Sequence, residues 1–448
     1  MRRSVVSSEI ACLFALGLWC LLASPAFALQ TNSTSNASVL PLVLTGKQLQ
    51  PLLGESLLRL SAFTCAAGKA KPLLFQVDEV NADGRIVSSE ASGGKGVAPD
   101  ESPGVFDEND EFVVMLKDLE GECGGEQLSR VKGKLVSVRV GATFLKEPAY
   151  LYILSGERGF VPSASYVEYR AADNRVVTPG YGWGYLPDKP PITAFMSFRD
   201  LQGRGDENVV DRLKVRFNIR ALRSLVRLRL DEEDLEYSLD GVRVGPVRVT
   251  REVTVTVKTV PGFTLKAFAR YEHYERLWRG GVRFKVPAVA ALFLTSMDVT
   301  FAHDFLNLRG LTLSTSGLAQ GALVDGTMIE QERSIAFGPE PWYFVSGGGL
   351  NQVTALDLEK GLNLKGAALF VDDPEYDDPP EASRGGLPLV GYQFLGWENL
   401  QARWYTFGAN VALLPGFPEG GATGFYRTLR APFDVKAGEV QAGPGQGP

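Results

Sequence analysis

The sequence predicts an all-β chain in two parts, a smaller N-terminal one and a large antiparallel β-sandwich. Three observations carry that expectation. Apolar residues recur with period two: Val136, Val138 and Val140 alternate with Ser137 and Arg139, and Val247, Val249, Val253, Val255 and Val257 share one phase. Lys214 to Arg220 also alternates, as do Val282, Phe284 and Val286 with Arg283 and Lys285. Asp83-Gly84, Asp240-Gly241 and Asp325-Gly326 read as hairpin turns between apolar runs. Finally, 49 Gly and 26 Pro among 448 residues suit a chain dense in turns.

The elements follow in order. Arg2 and Arg3 precede an apolar stretch, Ile10 to Ala23, and Ser24-Pro25-Ala26-Phe27-Ala28 offers small residues for cleavage. This pattern is that of a signal peptide, residues 1–28, cleaved near Ala28, and implies a periplasmic or extracellular mature protein. Residues 29–38 form a polar leader in which Asn32 and Asn36 begin N-glycosylation sequons. Residues 39–160 are expected as the small domain, with Gly46 to Leu60 a candidate helix. A connector rich in Gly, Pro and aromatic residues spans 161–198, the large sandwich 199–435, and a disordered tail 436–448. No apolar run after the leader is long enough to cross a bilayer as a helix.

Net charge is −6 for the whole chain and close to −7 once Arg2, Arg3 and Glu9 are removed, which gives nucleic acid no footing. Cys12 and Cys20 leave with the signal peptide. Cys65 and Cys123 remain, and two cysteines in an oxidising compartment pair most simply as a disulfide.

The segment Pro72-Leu73-Leu74-Phe75-Gln76-Val77-Asp78-Glu79, the later run Phe106-Asp107-Glu108-Asn109-Asp110-Glu111-Phe112-Val113-Val114-Met115, and Val244-Gly245-Pro246-Val247-Arg248-Val249 stand out. Together they resemble exported bacterial carbohydrate-active proteins of the exo-rhamnogalacturonan lyase-like kind. The resemblance implies a small N-terminal β-barrel followed by a supersandwich. It supplies no match for catalytic residues.

Candidate chemistry is sparse. Asp107, Asn109 and Glu111 alternate and could ligate a hard cation; capping of a strand start is the plainer reading. Asp372, Asp373, Asp377 and Asp378 crowd a Pro-rich loop, where Ca2+ would relieve their repulsion, with Tyr376 and Trp397 as a sugar-stacking face. His303 with Asp304, and His273 with Tyr271, are the candidate catalytic pairs, because histidine needs the smallest pKa shift to act as a base near neutrality. Arg270, Arg276 and Arg279 would stabilise a developing anion. Tyr181, Trp183 and Tyr185 alternate with glycine and would line one side of a strand, as a sugar platform if exposed and as core if buried. There is no GxSxG, P-loop or dinucleotide fingerprint. Two functions fit: an exported saccharide-binding or saccharide-active protein, including a polysaccharide lyase, or a non-catalytic accessory protein of the cell envelope.

Overall fold

A computed structural model describes residues 36–88, 96–129, 131–156, 164–260, 263–288, 294–362, 364–380 and 385–440. All of them belong to one compact unit, Asn32–Pro448. The expected signal peptide, Asn32 and residues 441–448 lie outside the described residues.

The chain is all-β and sandwich-like, and its paired strands are antiparallel. The large sandwich sets a five-stranded sheet against a nine-stranded one. The first runs in the order Val226–Leu230, Val210–Ala221, Leu294–Phe305, Leu389–Leu395, Lys365–Val371. The second runs Glu236–Val244, Val249–Val260, Phe263–His273, Leu277–Lys285, Trp404–Leu413, Leu350–Leu358, Trp342–Gly347, Thr312–Thr315, Leu318–Leu323. Period-two alternation explains the arrangement. Val253, Ala269, Phe284 and Val411 turn inward to meet Val299, Val390 and Phe394 of the facing sheet in one apolar core.

The outer face of the nine-stranded sheet carries a second core. Trp342, Phe344, Val353, Ala355 and Ala412 pack there against Leu42, Phe112, Val114, Val138 and Ile153 of the N-terminal region and against Phe425. That N-terminal region holds a three-stranded sheet (Pro41–Thr45, Glu111–Met115, Phe75–Asp78). Beside it lies a five-stranded sheet (Asp434–Glu439, Lys134–Gly141, Ala149–Ser155, Leu60–Ala66, Lys69–Pro72). Val136, Val138 and Val140 are all buried, as their alternation requires. Cys65 and Cys123 are disulfide-bonded, with Cα atoms 5.2 Å apart.

Four local expectations change. Gly46 to Leu60 contains two short 3-10 turns, Gln50–Leu52 and Leu57–Arg59, and no α-helix, because Pro51 and Gly54 interrupt it. Asp240-Gly241 lies inside the Glu236–Val244 strand at a register shift, where Ser88 crowds Gly241 and would collide with any side chain there. Thr193–Phe198, Tyr181–Tyr185, Arg175–Val177 and Glu168–Arg170 form a four-stranded sheet within the stretch expected as connector. Lys436 to Glu439, expected in the tail, pair with Arg139 to Val136.

The three segments that stand out in the sequence, around Gln76, Glu111 and Gly245, meet one another. Gln76 Oε1 accepts hydrogen bonds from the Val247 and Arg248 backbone N–H groups at 3.1 and 2.9 Å, and its Nε2 donates to Asp78 at 2.8 Å. Gly245 must lack a side chain, since a Cβ would lie 2.1 Å from Gln76 Cδ. Arg248, fully buried, donates to Asp78 (2.9 Å), Glu111, Glu272 (2.9 Å) and the Tyr274 hydroxyl (3.1 Å). These residues form a buried ionic latch between the N-terminal sheet and the sandwich.

Candidate functional site

The residues singled out from sequence are mostly structural. Tyr181, Trp183 and Tyr185 are 1%, 1% and 4% exposed and belong to the sandwich core. They do line one side of a strand, and that side faces inward, so they form no exposed platform. The intervening glycines serve close packing: a Cβ on Gly184 would lie 2.8 Å from Arg175 and 3.0 Å from Phe195. Trp183 stacks on Trp278 at 4.9 Å. His273 is fully buried between the Tyr185 hydroxyl (2.8 Å to Nε2) and the Tyr181 hydroxyl (3.5 Å to Nδ1). Burial, followed by Arg251, holds its pKa well below the ordinary histidine value, so the ring is neutral and committed to tyrosines. Tyr271 is buried beside it, and burial raises its hydroxyl pKa.

His303 and Asp304 are consecutive in a strand and therefore point to opposite faces. His303 faces an apolar cleft of about 180 Å3 between the two sheets, lined by Met297, Phe301, Phe407 and Trp278. Its Nε2 has no hydrogen-bond partner among the described residues, and burial pushes its pKa down to about 4. Asp304 turns instead toward Lys214, 3.4 Å away, and shares a surface pocket with Asp373, Tyr376 and Asp377. The two do not form an acid-base pair.

The acidic loop divides as well. Asp372 Oδ2 accepts the backbone N–H groups of Asp325 and Gly326, both at 2.8 Å, and so anchors that turn. Asp378 is taken up by Arg216 (3.1 Å) and Arg229 (2.5 Å). Asp373 and Asp377 share the pocket of Asp304. Among the described residues, no three of the four aspartates converge as cation ligands. Trp397 is buried, which leaves Tyr376 as the exposed ring there. Arg276 is paired with Asp200 at 2.5 Å. Asn36 is buried, and its side chain bonds both to and from the Glu419 backbone, a poor setting for glycosylation.

His303 yields a pH prediction. Its folded pKa, about 4, lies below the ordinary 6.5, so between those values the unfolded chain binds more protons. Stability is therefore full above pH 6.5 and is lost as pH falls toward 4, by about 3 kcal/mol for this ring. His303→Leu should flatten the difference between urea unfolding free energies at pH 7 and pH 4.5 by about 2 kcal/mol, the part of that loss falling between those pH values. An equal pH difference in variant and parent would refute the assignment.

One surface feature converges on the solvent side of the nine-stranded sheet. Strand register aligns Arg270, Gly281, Gly408 and Asp357 in a row across four neighbouring strands. The two central glycines leave a trough of about 290 Å3. A Cβ on Gly281 would meet nothing within 4 Å, whereas one on Gly408 would lie 2.5 Å from Gly280 O. The next row holds Glu272, Arg279 and Asn410, with Arg279 Nε donating to Asn410 Oδ1 at 3.0 Å. Burial alone would raise the Glu272 pKa, but Arg248, Arg279 and Arg270 hold it below the ordinary value, as a carboxylate.

The row on the other side holds Phe268, Arg283 and Thr406. Beyond it is Trp404, 39% exposed, with its ring 6.2 Å from Phe268 and beneath the Arg283 guanidinium at 4.5 Å. The loop around Asp83-Gly84 bounds the trough, since Arg270 donates to Gly84 O at 2.7 Å and Arg283 to Asp83 O at 3.3 Å. Of the residues picked from sequence, Arg270 and Arg279 lie here. Asp357, Trp404 and Asn410 were missed. The available signal was the Gly280-Gly281 pair interrupting a strongly alternating strand.

No family model matches the chain, and no curated protein matches it. Among solved structures, an alpha-mannosidase from Enterococcus faecalis aligns with a TM-score of 0.42 and 10% identity, covering 92% of this chain and 47% of its own. A glycosyl hydrolase family 38 protein from the same organism gives 0.42 and 9%, covering 92% and 49%. A protein described as an aldose 1-epimerase from Klebsiella pneumoniae gives 0.29 and 9%, covering 68% and 89%. The chain spans about half the length of the first two. Alignments this loose carry no argument about what this chain does.

Proposed function

We propose that the mature chain is an exported saccharide-binding protein and that the glycine-floored trough is its binding site. The observation that supports this reading is the in-register row Arg270–Gly281–Gly408–Asp357, open at its centre, with an exposed tryptophan two rows along the same sheet face. A sugar offers two kinds of surface: hydroxyls, which pair with fixed donors and acceptors, and a C–H face, which packs on an aromatic ring. Arg279 and Arg270 supply planar donors; Asp357, Glu272 and the Asn410 amide supply acceptors. Trp404 supplies the ring, with its indole held by Phe268 and Arg283. Export comes from the N-terminal sequence pattern. Catalysis is no part of the proposal.

Trp404→Ala should weaken saccharide binding about 10-fold, equivalent to about 1.4 kcal/mol. The melting temperature should change little, because the ring is partly exposed. Titration calorimetry with a bound oligosaccharide checks this; unchanged affinity in a folded variant would remove Trp404 from the site.

A further inference from the structure

Apart from the trough, the loop between Asp78 and Glu111 gathers three carboxylates. Asp100, Asp107 and Asp110 each place an oxygen such that all three lie within 4.8 Å of one another. Two of these side chains are shut away from water: Asp110 is 0% and Asp100 6% exposed. Like charges held this close in a low-dielectric setting repel strongly. No lysine or arginine among the described residues forms an ion pair with any of them.

The hydrogen bonds leave a gap of a particular kind. Asp110 accepts the Val80 backbone N–H at 3.1 Å with Oδ1 and that of Asp107 at 3.0 Å with Oδ2. Asp107 Oδ1 accepts the Asn109 N–H at 3.2 Å. Asp100 Oδ2 accepts the Ser102 N–H at 3.1 Å. Asp100 Oδ1 is buried and has no partner. A buried, unpartnered oxygen on a residue grouped with two other carboxylates is better served by a cation than by a further donor, because one bound ion satisfies all three residues at once.

We propose that Asp100, Asp107 and Asp110 form a Ca2+ site that fastens the loop beside the latch. The donor set is all oxygen, as a hard cation requires, and contains no His or Cys. The grouping is compatible with one shared ion: ligand distances of about 2.4 Å allow calcium to bridge oxygens up to about 4.8 Å apart, and all three lie within that limit. Magnesium demands near-ideal octahedral geometry at about 2.0–2.1 Å and holds its waters, so it takes an all-protein carboxylate set less readily. The charge run of residues 107–111 thus acts through Asp107 and Asp110, joined by the distant Asp100. Asn109 and Glu111 are engaged elsewhere, with Val80 O and with Arg248 and Arg270.

The test uses the full mature protein, stripped with EDTA and exchanged into metal-free buffer. CaCl2 alone should give saturable one-site heat in titration calorimetry and raise the melting temperature, with MgCl2 at least 10-fold weaker. Asp100→Asn should reduce calcium affinity at least 10-fold. Asp107→Asn, at a half-buried position, provides a second variant should the first not fold. Neither heat nor a thermal shift at millimolar CaCl2 overturns the proposal, as does calcium binding that survives undiminished in a folded Asp100→Asn or Asp107→Asn protein.

Discussion

Replacing Arg248 with Met is expected to lower the unfolding free energy by about 3–5 kcal/mol, the largest effect of any single side chain considered. The guanidinium is fully buried and answers three carboxylates and a phenol. Removing it leaves Asp78 and Glu272 as buried anions without their main counter-charge. Arg248→Lys should restore less than half of the loss, because one ammonium cannot make the forked contacts to Asp78 and Glu272 together. Urea unfolding of the three proteins measures this. A loss below about 1 kcal/mol for Arg248→Met would mean that the latch adds little to stability.

Removing the disulfide is expected to have the next largest effect. Cys65 and Cys123 close a loop with a sequence separation of 58. In the chain-entropy account such a loop contributes about 4 kcal/mol by restricting the unfolded chain. The bond joins the Leu60–Ala66 strand to the segment before Gly125–Leu128, a small satellite cluster around Tyr152 with little apolar core of its own. The Cys65→Ala/Cys123→Ala protein should unfold at correspondingly lower urea concentration with native-like β structure at zero urea. A midpoint equal to that of the parent would show that local packing alone holds this edge.

Much of the architecture was legible in the sequence because strand formation is a local, period-two property. Val136, Val138 and Val140 announced a half-buried strand, and Val249, Val253 and Val257 another. What failed was the reading of residues whose fate depends on which face their strand presents. Tyr181, Trp183 and Tyr185 share a side whether that side meets water or core; the choice is made by Met196, Val253 and other distant residues. His303 and Asp304 looked like a pair only because they are adjacent in sequence. The pleat separates them, one into an apolar cleft and one onto Lys214.

The trough shows the same limit from the other side. Arg270, Gly281, Gly408 and Asp357 come from four strands spread over 139 residues of numbering, and only pairing register brings them into line. The three segments around Gln76, Glu111 and Gly245 were conspicuous for a different reason. Gln76, Asp78, Glu111, Gly245 and Arg248 are polar or small residues at buried or half-buried positions, which makes them unusual in sequence and necessary to the joint between the two parts of the molecule. They speak for architecture and carry no information on a ligand.

The most direct test of the saccharide-binding reading fills that trough. Gly281 lies in a strand without positive φ, and the space above it is open, so Gly281→Trp can occupy the groove without disturbing the sheet. Parent and variant would be applied to the same oligosaccharide array after matched melting curves. The account predicts that the parent binds at least one glycan class and that the variant loses that signal at least 10-fold with an unchanged melting temperature. A parent that binds no glycan, or a variant that binds as well as the parent, would contradict it.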